Sequence, residues 1–240
     1  MSALKLKVAK LMAQFVPRAV FEQLKTKYSS TEDFGQLYFS QEGEDILLRR
    51  YFNFKNNGFF VDIGAHHATR FSNTYLLYKM GWHGINIDAT VGSMQSFNET
   101  RTRDINIEAA ISDRPETLTF YCFDEPALNT FDEQKALMIA EKTNYKLLSK
   151  QIIKTRALSE ILEQYLHPHQ EIDFFSIDAE GFDFKILKGN NWVKYKPKVI
   201  VIETEKIDIG KLVNDEVSLY LCQLGYRPFA KTFKSVFYAR

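Results

Sequence analysis

An α/β fold with one mostly parallel sheet is predicted by three features of this 240-residue sequence. Short unbroken apolar runs, the look of strands buried on both faces, alternate with helical stretches along most of the chain. The clearest of them, Phe59-Phe60-Val61-Asp62-Ile63, ends at Gly64-Ala65, where small residues permit a tight turn. The chain closes on two strand-like segments joined by a short turn, which adds an antiparallel edge.

The elements follow in order. Leu4, Val8, Leu11, Met12 and Phe15 lie at helical spacing, Pro17 breaks the pattern, and a second short helix is expected over 18–25. Residues 1–39 are thus expected to be a helical extension, and 40–240 the main domain. Its six Lys/Arg against one Glu between Leu4 and Lys27 suit peripheral contact with an anionic membrane surface, or packing on the domain or a second subunit. In Ser40-Gln41-Glu42-Gly43-Glu44-Asp45, acids crowd the start of a helix, which ordinary macrodipole complementation accounts for. Ser72 and Asn73 offer cap oxygens to the helix that begins near Thr74. Strands are expected at 84–88, 105–111, 118–123, 172–178 and 198–203, and helices at 90–100, 182–188 and 213–224, the last ending at Gly225. The polar stretch 132–150 reads as a helix-prone insertion over one edge, and 226–230 and 233–239 as the final hairpin.

Composition narrows the class. An apolar fraction of 45% with 25% charged residues is that of a soluble globular domain. A net charge of +1 offers no electrostatic case for nucleic acid. No apolar run reaches the ~20 residues of a membrane span, and the basic N-terminus, interrupted by Lys5, Lys7 and Lys10, is no signal peptide. Cys122 and Cys222, far apart and without metal-ligand spacing, read as free thiols. A cytoplasmic protein is the expectation, with homo-oligomerisation open.

In such sheets ligands bind beyond the carboxyl ends of the strands. Acids stand at four of those ends: Asp62, Asp88, Asp178 with Glu180, and Glu203 with Glu205. Asp62 either caps its own turn or faces a ligand. Asp88, about 25 residues beyond Asp62, is near the spacing of an acid that binds ribose hydroxyls, so an adenosine-type ligand is expected. A dinucleotide would want G-x-G-x-x-G for its pyrophosphate, but only Gly64 is present, and Asp62 would face the anion. S-adenosylmethionine has no phosphate and carries two positive charges, which nearby acids favour.

These residues resemble the FkbM-like methyltransferases. The resemblance covers Gln41 to Tyr238, and its carriers, in order, are SQEGED, FFVDIGAHHATRFSNTY, GWHGINIDATVGSMQSF, EAAISDR, PALNTF, IDFFSIDAEGFDFKILKG, PKVIVIE and LGYRPF. The resemblance implies a Rossmann-like class I methyltransferase domain with a seven-stranded, mostly parallel sheet in the order 3-2-1-4-5-7-6 and an antiparallel last strand. It implies that Asp62 and Gly64 line the methionine end of the cofactor, with Ala65, Ser72 and Asn73 also among the cofactor-binding residues. Asp88 would hold the ribose, with Ala89 beside it as a further cofactor-binding residue; Ala110 and Ile111 onward to Asp113 would lie along the adenine, and Asp178 would border the donor. His66, His67 and Ala68 stand where the commoner motif has further glycines.

The implied reaction is methyl transfer to oxygen, with a small molecule, sugar or glycan as acceptor. A sugar hydroxyl benefits from a base or a metal. Asp178, with Glu180 two residues on, is the first candidate base, and His66 and His67 are the second. Asp178, Glu180 and Glu203 could instead hold Mg²⁺ through oxygens. Asn129, Thr130 and Phe131 of PALNTF are candidate acceptor contacts, and Arg70 could meet an anionic acceptor or neutralise the acids. A nucleotide-dependent oxidoreductase and a non-catalytic protein retaining the fold stand as alternatives.

Overall fold

A computed structural model describes residues 36–204 and 208–240, of which Tyr38–Arg240 form one compact unit. The helices expected within 4–27, and Glu205, lie outside the described residues. No helix among the described residues is long and apolar enough to cross a membrane.

The chain runs α1 (Glu44–Tyr51), β1 (Phe59–Ile63), α2 (Tyr75–Lys79), β2 (His83–Asp88), α3 (Met94–Thr100), β3 (Ile105–Glu108) and β4 (Ala110–Ser112). It continues through β5 (Thr117–Phe123), a 3₁₀ turn (Pro126–Leu128), α4 (Glu133–Lys142), β6 (Leu147–Ala157), α5 (Leu158–Tyr165), β7 (Phe174–Ile177) and α6 (Asp183–Lys188). After β8 (Val199–Glu203) come a second 3₁₀ segment (Ile209–Asn214), α7 (Glu216–Gln223), β9 (Arg227–Lys231) and β10 (Ser235–Ala239).

Seven strands form one sheet in the order β3-β2-β1-β7-β8-β10-β9. The pairs through β8 are parallel, and β10 runs antiparallel to both its neighbours. Counted within this sheet alone, the order is 3-2-1-4-5-7-6. The whole-chain numbering departs from that order because β4, β6 and β5 form a second, three-stranded sheet.

That second sheet corrects two expectations. The single strand expected over 105–111 is two, β3 in one sheet and β4 in the other. The helix expected over 132–150 stops at Lys142, and residues 147–157 are the longest strand, β6. Leu148, Lys150, Ile152 and Lys154 alternate along β6 and are all exposed, so it lacks the apolar face that marks a half-buried strand.

The large sheet is buried on both faces, as unbroken apolar runs require. Phe59, Val61, Ile63, Phe175, Ile177, Ile200 and Ile202 pack against α5, α6 and α7. On the other face Phe60, Phe174, Val199 and Val201 meet Leu48 of α1, Leu77 of α2 and Trp82. Asp62 shares this second face by alternation with Phe60. At the far end, Gly225 takes a left-handed conformation (φ 94°), and its N–H and that of Tyr226 satisfy the carbonyls of Cys222 and Leu221.

Glu44 and Asp45 of SQEGED are buried, and the role of these acids is not macrodipole complementation alone. Asp45 accepts the Phe39 N–H at 2.7 Å and the Ser40 hydroxyl at 2.9 Å. Glu44 accepts the hydroxyls of Thr232 and Ser235, and Glu42 the Lys234 N–H, which ties the first helix to the closing hairpin. Cys122 and Cys222 are both free.

Candidate active site

A cleft of about 890 Å³, open to solvent, lies at the carboxyl ends of β1, β2 and β7, where the strand order reverses direction. The topology favours this: strands buried on both faces carry charged groups most cheaply at or near their ends, and parallel pairing brings those ends to one rim.

The first wall is the turn after β1. Gly64 has φ 75°, and a Cβ there would stand 1.7 Å from the Asp178 carbonyl oxygen. Only glycine lets the ends of β1 and β7 approach so closely. The N–H groups of Gly64 and Ala65 bond the Ile87 carbonyl, which pins the turn to β2. His66 then sits at φ 54°, with its N–H on Asp88 Oδ2 at 2.9 Å. The other Asp88 oxygen takes the Thr90 N–H at 2.8 Å. Asp88 is thus oriented by two backbone donors, and both oxygens keep lone pairs for a ligand.

Asp62 is one residue inside β1 and buried. It accepts the Thr74 hydroxyl at 2.9 Å, and Ser176 also bonds it. Burial pushes its carboxyl up to about 6, against the Thr74 bond and the nearby Arg101, which lower it. Asp62 therefore both anchors the turn and lines the cleft. Ser72 Oγ accepts the N–H groups of Thr74 and Tyr75, the capping role expected of it. Asn73 caps nothing; its amide reaches across to Ser176 on β7 at 3.1 Å.

Arg101 was not legible as a site residue. It is fully buried behind Asp62, with Nε on Asp104 at 2.8 Å and one terminal nitrogen on the Thr74 hydroxyl at 3.1 Å. Phe60, Tyr75, Tyr78 and Phe97 surround its guanidinium at 4.6 to 5.9 Å. An Arg-x-x-Asp spacing is its only local trace, and that is indistinguishable from a surface helix pair.

The second wall is apolar. Ile87, Ala109, Ile111, Ile186 and an aromatic stack line it, with Phe131 4.5 Å from Phe120 and 5.1 Å from Phe182. Ala110 and Asp113 do not line the cleft. Successive side chains of extended backbone point opposite ways, so Ala109 and Ile111 face in and Ala110 faces out.

The third wall is acidic. Asp178 follows β7, Glu180 follows it at φ 51°, and Glu203 ends β8. Each offers an oxygen within 4.8 Å of the others. Burial holds the Asp178 carboxyl well above its usual range, reinforced by Glu203, Glu180 and Asp183, and its proton is donated to Glu203. Burial and then Glu180 push Glu203 up to about 7. Burial pushes Asp183 to about 6 although it accepts the Ala179 and Gly181 N–H groups. Glu180 is ion-paired to Lys135 of α4 at 2.5 Å. Lys135 is a second site residue that local sequence did not disclose.

Several expected contacts fall elsewhere. His67 does not line the cleft: its Nδ1 accepts the Thr69 and Arg70 N–H groups, both at 3.1 Å, and so caps its own loop. His66 does line it, its Nε2 has no hydrogen-bond partner among the described residues, and burial lowers its pKa. Arg70 is turned outward into an ion pair with Glu125 at 3.0 Å. Thr130 is buried outside the cleft lining and donates to the Glu180 carbonyl at 2.8 Å. Asn129 and Phe131 line the cleft, but Asn129 is spent on the Phe123 N–H and Thr90 hydroxyl and Phe131 on the aromatic wall. Glu203 faces a smaller recess with Glu44, Lys234 and Ser235 beside the main cleft, which Asp178 borders as well.

Residues 62–228 match the family model described as the methyltransferase FkbM domain. No curated protein matches the sequence. Among solved structures, a precorrin-6y C5,15-methyltransferase from Geobacter metallireducens GS-15 is 11% identical over 88% of this chain and 95% of that one, with a TM-score of 0.45. A putative caffeoyl-CoA O-methyltransferase from Staphylococcus aureus is 10% identical over 99% of both chains, with a TM-score of 0.43.

Proposed function

The chain belongs to the FkbM methyltransferase domain family and is an S-adenosylmethionine-dependent methyltransferase; we propose that it methylates a hydroxyl oxygen of a sugar, a glycan or a glycosylated natural product. The observation that carries this reading is the hydrogen-bonded Asp178–Glu203 pair, which can accept the proton a hydroxyl must lose.

The residues present fit the cofactor. Asp88, with its backbone-oriented oxygens, is placed to accept a ribose diol. The apolar wall that includes Ile111 and Phe131 suits an adenine, and Asp62, Gly64, Ala65 and Asn73 form a polar end for the methionine. When bound, the cofactor supplies a methyl group on a sulfonium, already a good leaving group, so alignment is the main demand on the protein.

Asp178 contacts the acceptor hydroxyl. Burial and the neighbouring carboxylates hold its carboxyl well above the usual range, and it shares a hydrogen bond with Glu203, so the two act as a pair. As the acceptor oxygen bonds the methyl carbon, its proton passes to Asp178, and the proton Asp178 held passes to Glu203. The bound cofactor would supply the methyl carbon and keep the S–CH₃ electron pair as the thioether. The pair gains one proton, and Glu203 must be ionised beforehand.

Calorimetry with S-adenosylhomocysteine and with NAD, side by side, tests the class. Binding of the former alone is expected, and binding of NAD alone would overturn the reading in favour of an oxidoreductase. A glycan screen with methyl-labelled cofactor then tests the acceptor, and on a labelled acceptor Asp178→Asn should slow transfer by roughly 10²–10⁴-fold.

A further inference from the structure

We infer that Lys135 is the resident cation of the acidic wall, holding Glu180 where a divalent ion would otherwise bind, so that this cleft works without one. Asp178, Glu180 and Glu203 invite a metal reading, since three carboxylate oxygens lie within 4.8 Å of one another. A hard cation needs those oxygens available, and here they are committed. Asp178 and Glu203 are hydrogen-bonded to each other, and Glu180 Oε2 lies 2.5 Å from Lys135 Nζ.

The Lys135 contact is not a loose surface pair. The side chains of Lys135 and Glu180 are only 17% and 20% exposed. Lys135 sits in the first turn of α4, whose N-cap Asp132 accepts the Gln134 and Lys135 N–H groups at 2.8 and 3.1 Å. Just before that cap, the Thr130 hydroxyl donates to the Glu180 carbonyl. One inserted segment therefore grips Glu180 at its backbone and at its carboxylate. Glu180 needs that grip, because a left-handed conformation is costly for a residue with a side chain.

The other charges facing the cluster do not supply the same cation. Lys234 reaches Glu203 only at 4.0 Å and is half exposed, and Asp183 from α6 is spent on two backbone N–H groups. A divalent ion among these oxygens would have to displace the ammonium or sit beside it against like charge. The inserted segment thus brings a cation as well as a wall.

The inference rests on reading this wall as the acceptor end of the cleft, and its test keeps the two apart. Mn²⁺, a paramagnetic stand-in for Mg²⁺, is titrated by electron paramagnetic resonance into the full chain and into Lys135→Met and Lys135→Arg. Wild type and Lys135→Arg should bind no Mn²⁺ below millimolar, and Lys135→Met should bind at least tenfold more tightly. Adding Glu180→Gln to Lys135→Met should abolish the gain. S-adenosylhomocysteine calorimetry on the same samples reports folding and the cofactor site, and Lys135→Gln replaces Lys135→Met if that variant does not fold. Micromolar Mn²⁺ binding by wild type, or no gain on removing the ammonium, would overturn the inference. Failure of wild type to bind S-adenosylhomocysteine would overturn the methyltransferase reading instead.

Discussion

Arg101 donates a hydrogen bond to the Thr74 hydroxyl at 3.1 Å, and Thr74 hands the polarity on to Asp62 at 2.9 Å. A fully buried guanidinium thus sets the position of a cleft carboxylate it does not touch.

Removing that cation should be costly. Arg101 and Asp104 are both fully buried at their side chains, so Arg101→Met leaves a buried charge without its partner. The expected loss is about 3–5 kcal/mol, read from urea unfolding. The double variant Arg101→Met/Asp104→Leu should recover part of it, because the stranded charge is gone. A single-variant loss below about 1 kcal/mol would contradict the buried pair.

Asp88 should matter for the cofactor rather than for the fold. Asp88→Ala is expected to weaken S-adenosylhomocysteine binding by about 1.5–3 kcal/mol, roughly 10- to 150-fold. Calorimetry on a variant with unchanged circular dichroism checks this, and an unchanged affinity removes Asp88 from the ribose.

Glu203 links stability to activity through pH. Its folded pKa, about 7, lies above the ordinary 4.5, so its contribution to stability is full below 4.5 and lost as pH rises through 7. The rise corresponds to about 3 kcal/mol, and the side chain is only 9% exposed. Glu203→Gln should therefore match wild type near pH 4.5 and become the more stable protein by pH 8, as thermal melts across pH would show. Methyl transfer should behave oppositely, rising through about pH 7 in wild type and falling sharply in the variant. Parallel melting curves at pH 4.5 and 8 would count against a perturbed Glu203.

His66 offers a clean test of whether its imidazole acts. Its backbone is left-handed, so His66→Gly removes the ring and relieves the backbone at once. If Asp178 and Glu203 take the proton, turnover should fall less than about tenfold while affinity shifts modestly. A loss of 10²–10⁴-fold in turnover with unchanged cofactor affinity would move the base to His66.

Much of this protein was determined by sequence alone. Runs such as Phe59–Ile63 and Val199–Glu203 are apolar without alternation because both faces of a parallel strand are buried, so the layers follow from local pattern. The same constraint drives acids to the strand ends, which is why Asp88, Asp178 and Glu203 could be named as rim residues. Only tertiary structure decided what each of them does. The partners that engage them come from distant segments: Lys135 to Glu180 across 45 residues, Thr74 to Asp62 from Arg101's side, and Thr130 to the Glu180 carbonyl across 50. His67 and Arg70 were chemically eligible but are consumed by a loop cap and an ion pair. Strand β6 escaped notice because its exposed side is mixed aliphatic and lysine, leaving no periodic apolar face to read. Burial, the term that shifts Asp62, Asp178 and Glu203, is a property of the assembled fold and has no local signature in the chain.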